Sequence, residues 1–236
     1  MSKIAFCFLL YDKMDHRNLW KIFFDNIPDD QYNIYAHPKN LTNETNDWIK
    51  EYRIKNRIQT EWCDESLVFA FIRMLRHALK DPGNKYFCLL SGACIPLHNF
   101  NVIKKRLFKY SQSRLDFSKN KFVFEGNLPE DKVNPHSQFM VLNRRQAIDC
   151  VRLLDKNDKK AQTFLKFIRK LFKRHRDALT WWTSCEDETY FASYFEYLYG
   201  PRGSDNFNKQ IMNYKSTYTH FESWDNNHPV TWSRSK

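Results

Sequence analysis

At 236 residues, with 42% hydrophobic and 28% charged residues, the chain is long enough for one α/β domain with a real core and too apolar for a disordered one. Only five glycines, with no Gly-x-Gly-x-x-Gly and no P-loop signature, argue against a glycine-rich phosphate loop. A formal net charge of +11 points to an anionic ligand or partner: a nucleic acid, an acidic membrane surface or a nucleotide diphosphate.

In chain order, Lys3 to Tyr11 reads as a buried strand. Asp15 to Asn26 follows with Leu19, Ile22 and Phe23 at helical spacing, and Tyr32 to Ala36 is a second strand ending at His37-Pro38-Lys39. Strand, helix and strand within about forty residues form a βαβ unit, which predicts a parallel sheet with a right-handed crossover. Asn46 to Tyr52 is a short helix. Arg57 to Thr60 reads as a short third strand that delivers Trp62 and Ser66 to the crevice beyond the strand ends, where open α/β sheets bind ligands. An amphipathic helix comes next, capped by Asp64 or Ser66, with Leu67, Phe71, Leu75 and Leu79 on its apolar face; Asp81-Pro82-Gly83-Asn84 stops it. Tyr86 to Leu90 is a continuous apolar run, a strand covered on both faces, and ends in the turn Ser91-Gly92-Ala93-Cys94. That turn either lets the backbone approach a ligand or simply closes the strand.

Phe100 to Tyr110 is an amphipathic helix, Lys121 to Glu125 alternates as a strand, and Pro135 to Arg144 reads as loop, strand and helix start; the helix continues from Arg145 to Leu154. Lys156 to Arg176 is a basic helix with a Phe164, Phe167, Ile168, Leu171, Phe172 stripe. It either rests on an anionic membrane surface or packs the stripe on the domain and solvates its charges. The stretch from Trp181 to Glu188 opens a further helix that continues to Tyr199 and is closed by Gly200-Pro201-Arg202-Gly203, and Ser216 to Phe221 is a final strand leading to Trp224 and His228-Pro229. Ile4 to Leu10 is too short to span a bilayer, so a soluble intracellular, cytoplasmic protein is expected. The six cysteines show no paired metal spacing and are expected to be reduced, which fits such a compartment.

Several of these segments carry a resemblance. Trp62, Ser66, a helix ending Ala-Leu-x-Asp-Pro, then Phe-x-Leu-Leu-Ser-x-x-Cys-Ile-Pro-Leu-x-Asn-Phe resembles the core-2/I-branching β-glycosyltransferase family, which includes peptide O-xylosyltransferases and plant relatives. The likeness runs in order from Lys3 to about Thr231. It implies a single GT-A-like domain with a Rossmann-type, mostly parallel sheet flanked by helices. Residues from 1 to about 98 would form the nucleotide-sugar side, and those from about 99 to 236 the acceptor side and the catalytic base. It implies donor contacts from His37, Lys39, Trp62, Ser66, Ser91 and Gly92, and acceptor contacts from Ser137, Gln138 and Trp224. In the family's acceptor segment His136 stands here for Gly and Phe139 for Trp.

Glycosyl transfer needs a base for the acceptor hydroxyl and positive charge for the departing diphosphate. The resemblance makes Glu188 the base, with Asp187 as a cap or orienting group, and Lys215 the diphosphate contact. From the residues alone, Ser184 and Asp187 also fit a helix-capping box and Glu188 a favourable helix-dipole partner. No carboxylate stands at Ser91-Gly92-Ala93-Cys94, so neither metal nor other cofactor is expected, although Glu186-Asp187-Glu188 could attract a cation. The expected reaction is inverting transfer from a UDP-sugar, by default UDP-N-acetylglucosamine, to a glycan or glycoprotein hydroxyl. Two alternatives stay open. One is a basic nucleic-acid-binding α/β protein, although no RNA- or DNA-binding signature is present and no nucleic acid is expected. The other is a relative that binds glycan or nucleotide without turnover, because the family's second basic residue lies in a longer C-terminal tail and this chain stops at Lys236.

Overall fold

A computed structural model describes residues 2–41, 47–117, 135–177 and 185–214, and the backbone of 224–225 and 228–229. β1 (Lys3–Leu10), α1 (Arg17–Phe24) and β2 (Tyr32–Pro38) form the predicted βαβ unit, with β1 and β2 parallel from Ile4 opposite Tyr32 to Leu10 opposite Pro38. After α2 (Asp47–Tyr52), α3 (Glu65–Ala78) crosses over to β3 (Asn84–Ser91), which runs parallel to β1 on its other side. α4 (Phe100–Phe108) leads to β4 (Ser113–Phe117), and β5 (His136–Asn143) lies antiparallel between β3 and β4. α5 (Arg144–Arg152), α6 (Lys159–Asp177), α7 (Tyr190–Tyr199) and α8 (Asp205–Gln210) precede the short β6 (Ile211–Asn213), parallel to β4. The six-stranded sheet has the order β2-β1-β3-β5-β4-β6, and three of its five pairings are parallel. β7 (Trp224–Asp225) and β8 (His228–Pro229) pair with each other.

The alternating pleat of β1 explains why its apolar run is unbroken. Ala5 and Cys7 face a core shared with α3, α5, α6 and α7, whereas Ile4, Phe6, Phe8 and Leu10 face a second core with α1, α2 and α4. Helices therefore cover both faces, as a largely parallel sheet requires. In the second core Phe6 meets Trp20, Phe23 and Phe24 edge-on, and Trp20 Nε1–H donates to the Cys94 carbonyl at 2.9 Å. One indole thus ties α1 to the loop after β3.

Asp64 is the N-cap of α3, and its carboxylate accepts from the Ser66 N–H at 2.8 Å. At the other end the Arg144 guanidinium donates to the carbonyls of Leu79, Asp81 and Asn84, so a cation closes the helix terminus and the turn beyond it. The apolar stripe of α6 packs inward, with Phe164, Ile168 and Phe172 buried, while Lys159, Lys160, Lys166, Lys170 and Lys173 face out. Phe167, expected on the stripe, lies on the outer face at 40% exposure. No helix among the described residues is long and apolar enough to cross a membrane.

Two expectations need correction. Residues 57–60 are extended but form no strand: Arg57 Nη1 donates to the Pro38 carbonyl at 2.7 Å and the Ile58 N–H to His37 Nε2 at 3.1 Å, so the end of β2 holds them through side chains. The cysteines are not all reduced: Cys63 and Cys185, 122 residues apart, form a disulfide with Cα atoms 4.2 Å apart. Cys7, Cys88, Cys94 and Cys150 are buried and outside the disulfide. The pairing removes the cysteine argument for a reducing compartment. The strands expected at Lys121 to Glu125 and Ser216 to Phe221 lie outside the described residues.

Candidate active site

β1 and β3 point their carboxyl ends into one cavity of about 240 Å³, with the residue after β2, Lys39, beside them. Its lining includes Tyr11, Lys39, Glu61, Trp62, Ser91 and Gln138. Drug-sized ligand sites usually enclose roughly 300–1,000 Å³, so this one has room for a base or a sugar ring, with the rest of a larger ligand over the rim. Leu9, Leu10, Leu89 and Leu90 make its floor. Trp62 is 76% exposed and Tyr11 67%, so two large aromatic side chains stand at its mouth. Such surfaces stack on sugar or base rings.

Lys39 sits 5.6 Å from the Tyr11 ring centroid and 3.1 Å from the Glu61 carboxylate. Glu61 is largely exposed, so this ion pair is weak and its cation can change partner. Of the expected donor residues, Lys39, Trp62 and Ser91 line the cavity, as does Gln138 from the expected acceptor set. Ser66, His37, Gly92 and Ser137 do not. The Ser66 hydroxyl accepts from the Glu61 N–H at 2.9 Å and so shapes the loop that carries Trp62. His37 is fully buried; burial, aided by Arg57 and Arg73, lowers it to about 4, and as a neutral ring it accepts from Ile58. A Cβ on Gly92 would lie 2.6 Å from the Lys13 carbonyl oxygen, so the backbone that comes close there is the β1–α1 connection. The Ser137 hydroxyl accepts from the Phe139 N–H at 3.3 Å. Lys215 and the Trp224 side chain lie outside the described residues, as does Ser184 of the capping box.

The three carboxylates form a 3-10 turn, Glu186–Glu188, immediately before α7. The turn packs on α3 and on β5, the strand that brings Gln138 and Phe139 to the cavity. The Glu186 N–H donates to the Cys63 carbonyl at 3.2 Å. Asp187 is 7% exposed, its Oδ1 has no hydrogen-bond partner among the described residues, and burial together with the Glu188 charge pushes it up to about 7. Burial also raises Glu188 above the ordinary carboxylate range. Two neighbouring acids are thus both made more basic, the direction a proton acceptor at neutral pH needs. Among the described residues, Cys63, Cys185 and Asp187 bring ligand atoms within 4.8 Å of one another, as a metal site would. The two sulfurs are bonded to each other, which leaves only the carboxylate to offer a cation.

Tyr11, Glu61, Cys63 and Cys185 were not singled out from the sequence. A Tyr directly after a buried strand was the available signal for Tyr11. Nothing in the spacing of Cys63 and Cys185 marks them as partners.

Residues 4–235 match the family described as Core-2/I-Branching enzyme. A segment of 157 residues, 62% of this chain, is 28% identical to "Glycosyltransferase BC10" of Oryza sativa subsp. japonica and covers 39% of that protein's length. With almost the whole sequence matched and a mostly parallel, helix-flanked sheet of GT-A-like form, the chain belongs to the Core-2/I-branching enzyme family.

Proposed function

We propose that this protein is a glycosyltransferase that moves a sugar from a UDP-sugar to a hydroxyl of a glycan or glycoprotein, with inversion and without a metal. The observation that carries the reading is the carboxylate turn packed on β5 and α3, the two elements that supply Gln138 and Leu67 to a strand-end cavity also lined by Lys39 and Trp62. The donor lies across the carboxyl ends of β1 and β3, with Trp62 or Tyr11 against a ring and Lys39 exchanging Glu61 for a phosphate. Residues up to about 98 supply most of this side, and Gln138 enters it from the acceptor half. Glu188 takes the acceptor hydroxyl proton as that oxygen bonds to the anomeric carbon. The carbon–oxygen bond to the diphosphate breaks, and UDP departs with its charge met by Lys215. Asp187, protonated near neutral pH, orients the turn.

N-acetylglucosamine is the default sugar, with xylose and glucuronate next. The outward lysines of α6 give the protein a cationic face suited to an anionic membrane surface that presents the acceptor. The test is turnover of a UDP-sugar panel with EDTA present. Transfer or hydrolysis of one donor that persists in EDTA supports the reading and names the sugar. Activity abolished by EDTA and restored by a divalent cation overturns the metal-independent mechanism.

A further inference from the structure

The disulfide joins two parts of the molecule that the reaction needs in register. Cys63 follows Trp62 at the mouth of the cavity and precedes Asp64, the cap of α3. Cys185 immediately precedes Glu186–Glu188, and its carbonyl accepts from the Glu188 N–H at 3.1 Å. The Glu186 N–H to Cys63 carbonyl bond runs beside the covalent link, so the turn is fastened to the Trp62 loop twice. Cys63 also has φ of +63°, a conformation that side-chain-bearing residues rarely adopt and keep only where their surroundings hold them. We propose that Cys63 and Cys185 are positioning residues: oxidised, they hold Glu188 in register with the donor cavity; reduced, they release the turn and slow the chemical step. This rests on Glu188 being the base.

The switch is accessible to a reductant. Cys63 and Cys185 are half-buried, whereas the other four cysteines are buried, and burial raises the Cys7, Cys88 and Cys150 thiols well above their usual range. A small dithiol exchanges with the disulfide. One of its sulfurs forms a mixed disulfide, the second closes the reagent's own disulfide, and Cys63 and Cys185 leave as two thiols. Two electrons and two protons pass from the reagent to the protein.

The experiment combines thiol counting with steady-state kinetics on the full chain, before and after dithiothreitol treatment and removal, at a temperature well below the melting point of the reduced form. Two thiols should become reactive in the folded protein. Turnover number should fall about tenfold or more while the donor KM changes little, because small misplacements of a catalytic group are costly; reoxidation should restore it. Cys63→Gly accepts the positive φ and removes the bridge, so it should match the reduced enzyme and ignore the reductant. A structural role alone would lower the melting temperature without moving the turnover number. Four thiols should titrate in the denatured, unreduced protein; six would overturn the proposal, as would unchanged turnover in the reduced enzyme and in Cys63→Gly. Glu188→Gln, measured in parallel, separates the failures. If it is inactive while reduction has no effect, only the positioning role falls; if it turns over normally, the assignment of the base falls.

Discussion

The carboxyl ends of β1, β2 and β3 and the turn that carries Glu188 are held in place by different kinds of bond. The strand ends are fixed by parallel ladders and by aromatic packing beneath them, chiefly from about the first hundred residues, with Phe139 and Val141 of β5 joining the same core. The turn is three residues long and joins the Trp62 loop through a disulfide and a backbone hydrogen bond that span more than 120 residues of sequence. Many redundant contacts make the first region a matter of stability. A few long-range contacts make the second a matter of geometry, so damage there should show in turnover before it shows in folding.

Three substitutions sharpen that contrast. Trp20→Ala strikes the strand-end region, where the indole is fully buried among Phe6, Phe8 and Phe23 and bonded to Cys94. It should cost about 3–5 kcal/mol of stability in denaturant unfolding. Asp187→Asn tests the turn through pH. The folded protein keeps the Asp187 proton up to about 7, whereas the unfolded chain releases it near 3.8, the ordinary aspartate value. The contribution of Asp187 to stability is therefore fully present below the unfolded value and lost as pH rises through 7. His37 and His136, each lowered to about 4, act oppositely and lose stability as pH falls, but both remain in the variant. Melting from pH 4 to 8 should show the Asn form gaining on the wild type as pH rises, with an upper limit of about 4 kcal/mol. A flat difference would mean that Asp187 is ionised in the fold. The smallest effect belongs to Trp62→Ala: melting within about 0.5 kcal/mol of wild type, because the side chain is largely exposed, with UDP affinity about 3–10-fold weaker by calorimetry as the stacking surface is lost.

The same contrast governs what was legible in the sequence. β1, α1, β2, α3 and β3 are legible because a continuous apolar run or a helical period marks each, and their ends fall within a residue or two of those expected; α1 differs in detail, since Leu19 and Ile22, read with Phe23 at helical spacing, are exposed while Trp20, Phe23 and Phe24 are buried. β4 was missed because its Arg114 is buried, donating to the Arg106 and Leu107 carbonyls at the end of α4, so a charge interrupts the apolar signal. β6 is three residues long, too short to show a period. Residues 57–60 read as a short strand, yet the partners they find are a histidine ring and a carbonyl rather than a ladder. Trp62 and Ser91 could be placed because strand-end loops in α/β sheets converge, and Lys39 through the family resemblance. The Cys63–Cys185 bond could not, because nothing local records which distant loop a cysteine will meet.

The most direct measurement pairs donor binding with turnover in Glu188→Gln. The account predicts UDP-sugar affinity close to wild type, because Glu188 is not among the residues that line the cavity, with turnover lower by about a hundredfold or more through loss of the base. Turnover near the wild-type rate would contradict it, and so would donor affinity lost in proportion to turnover.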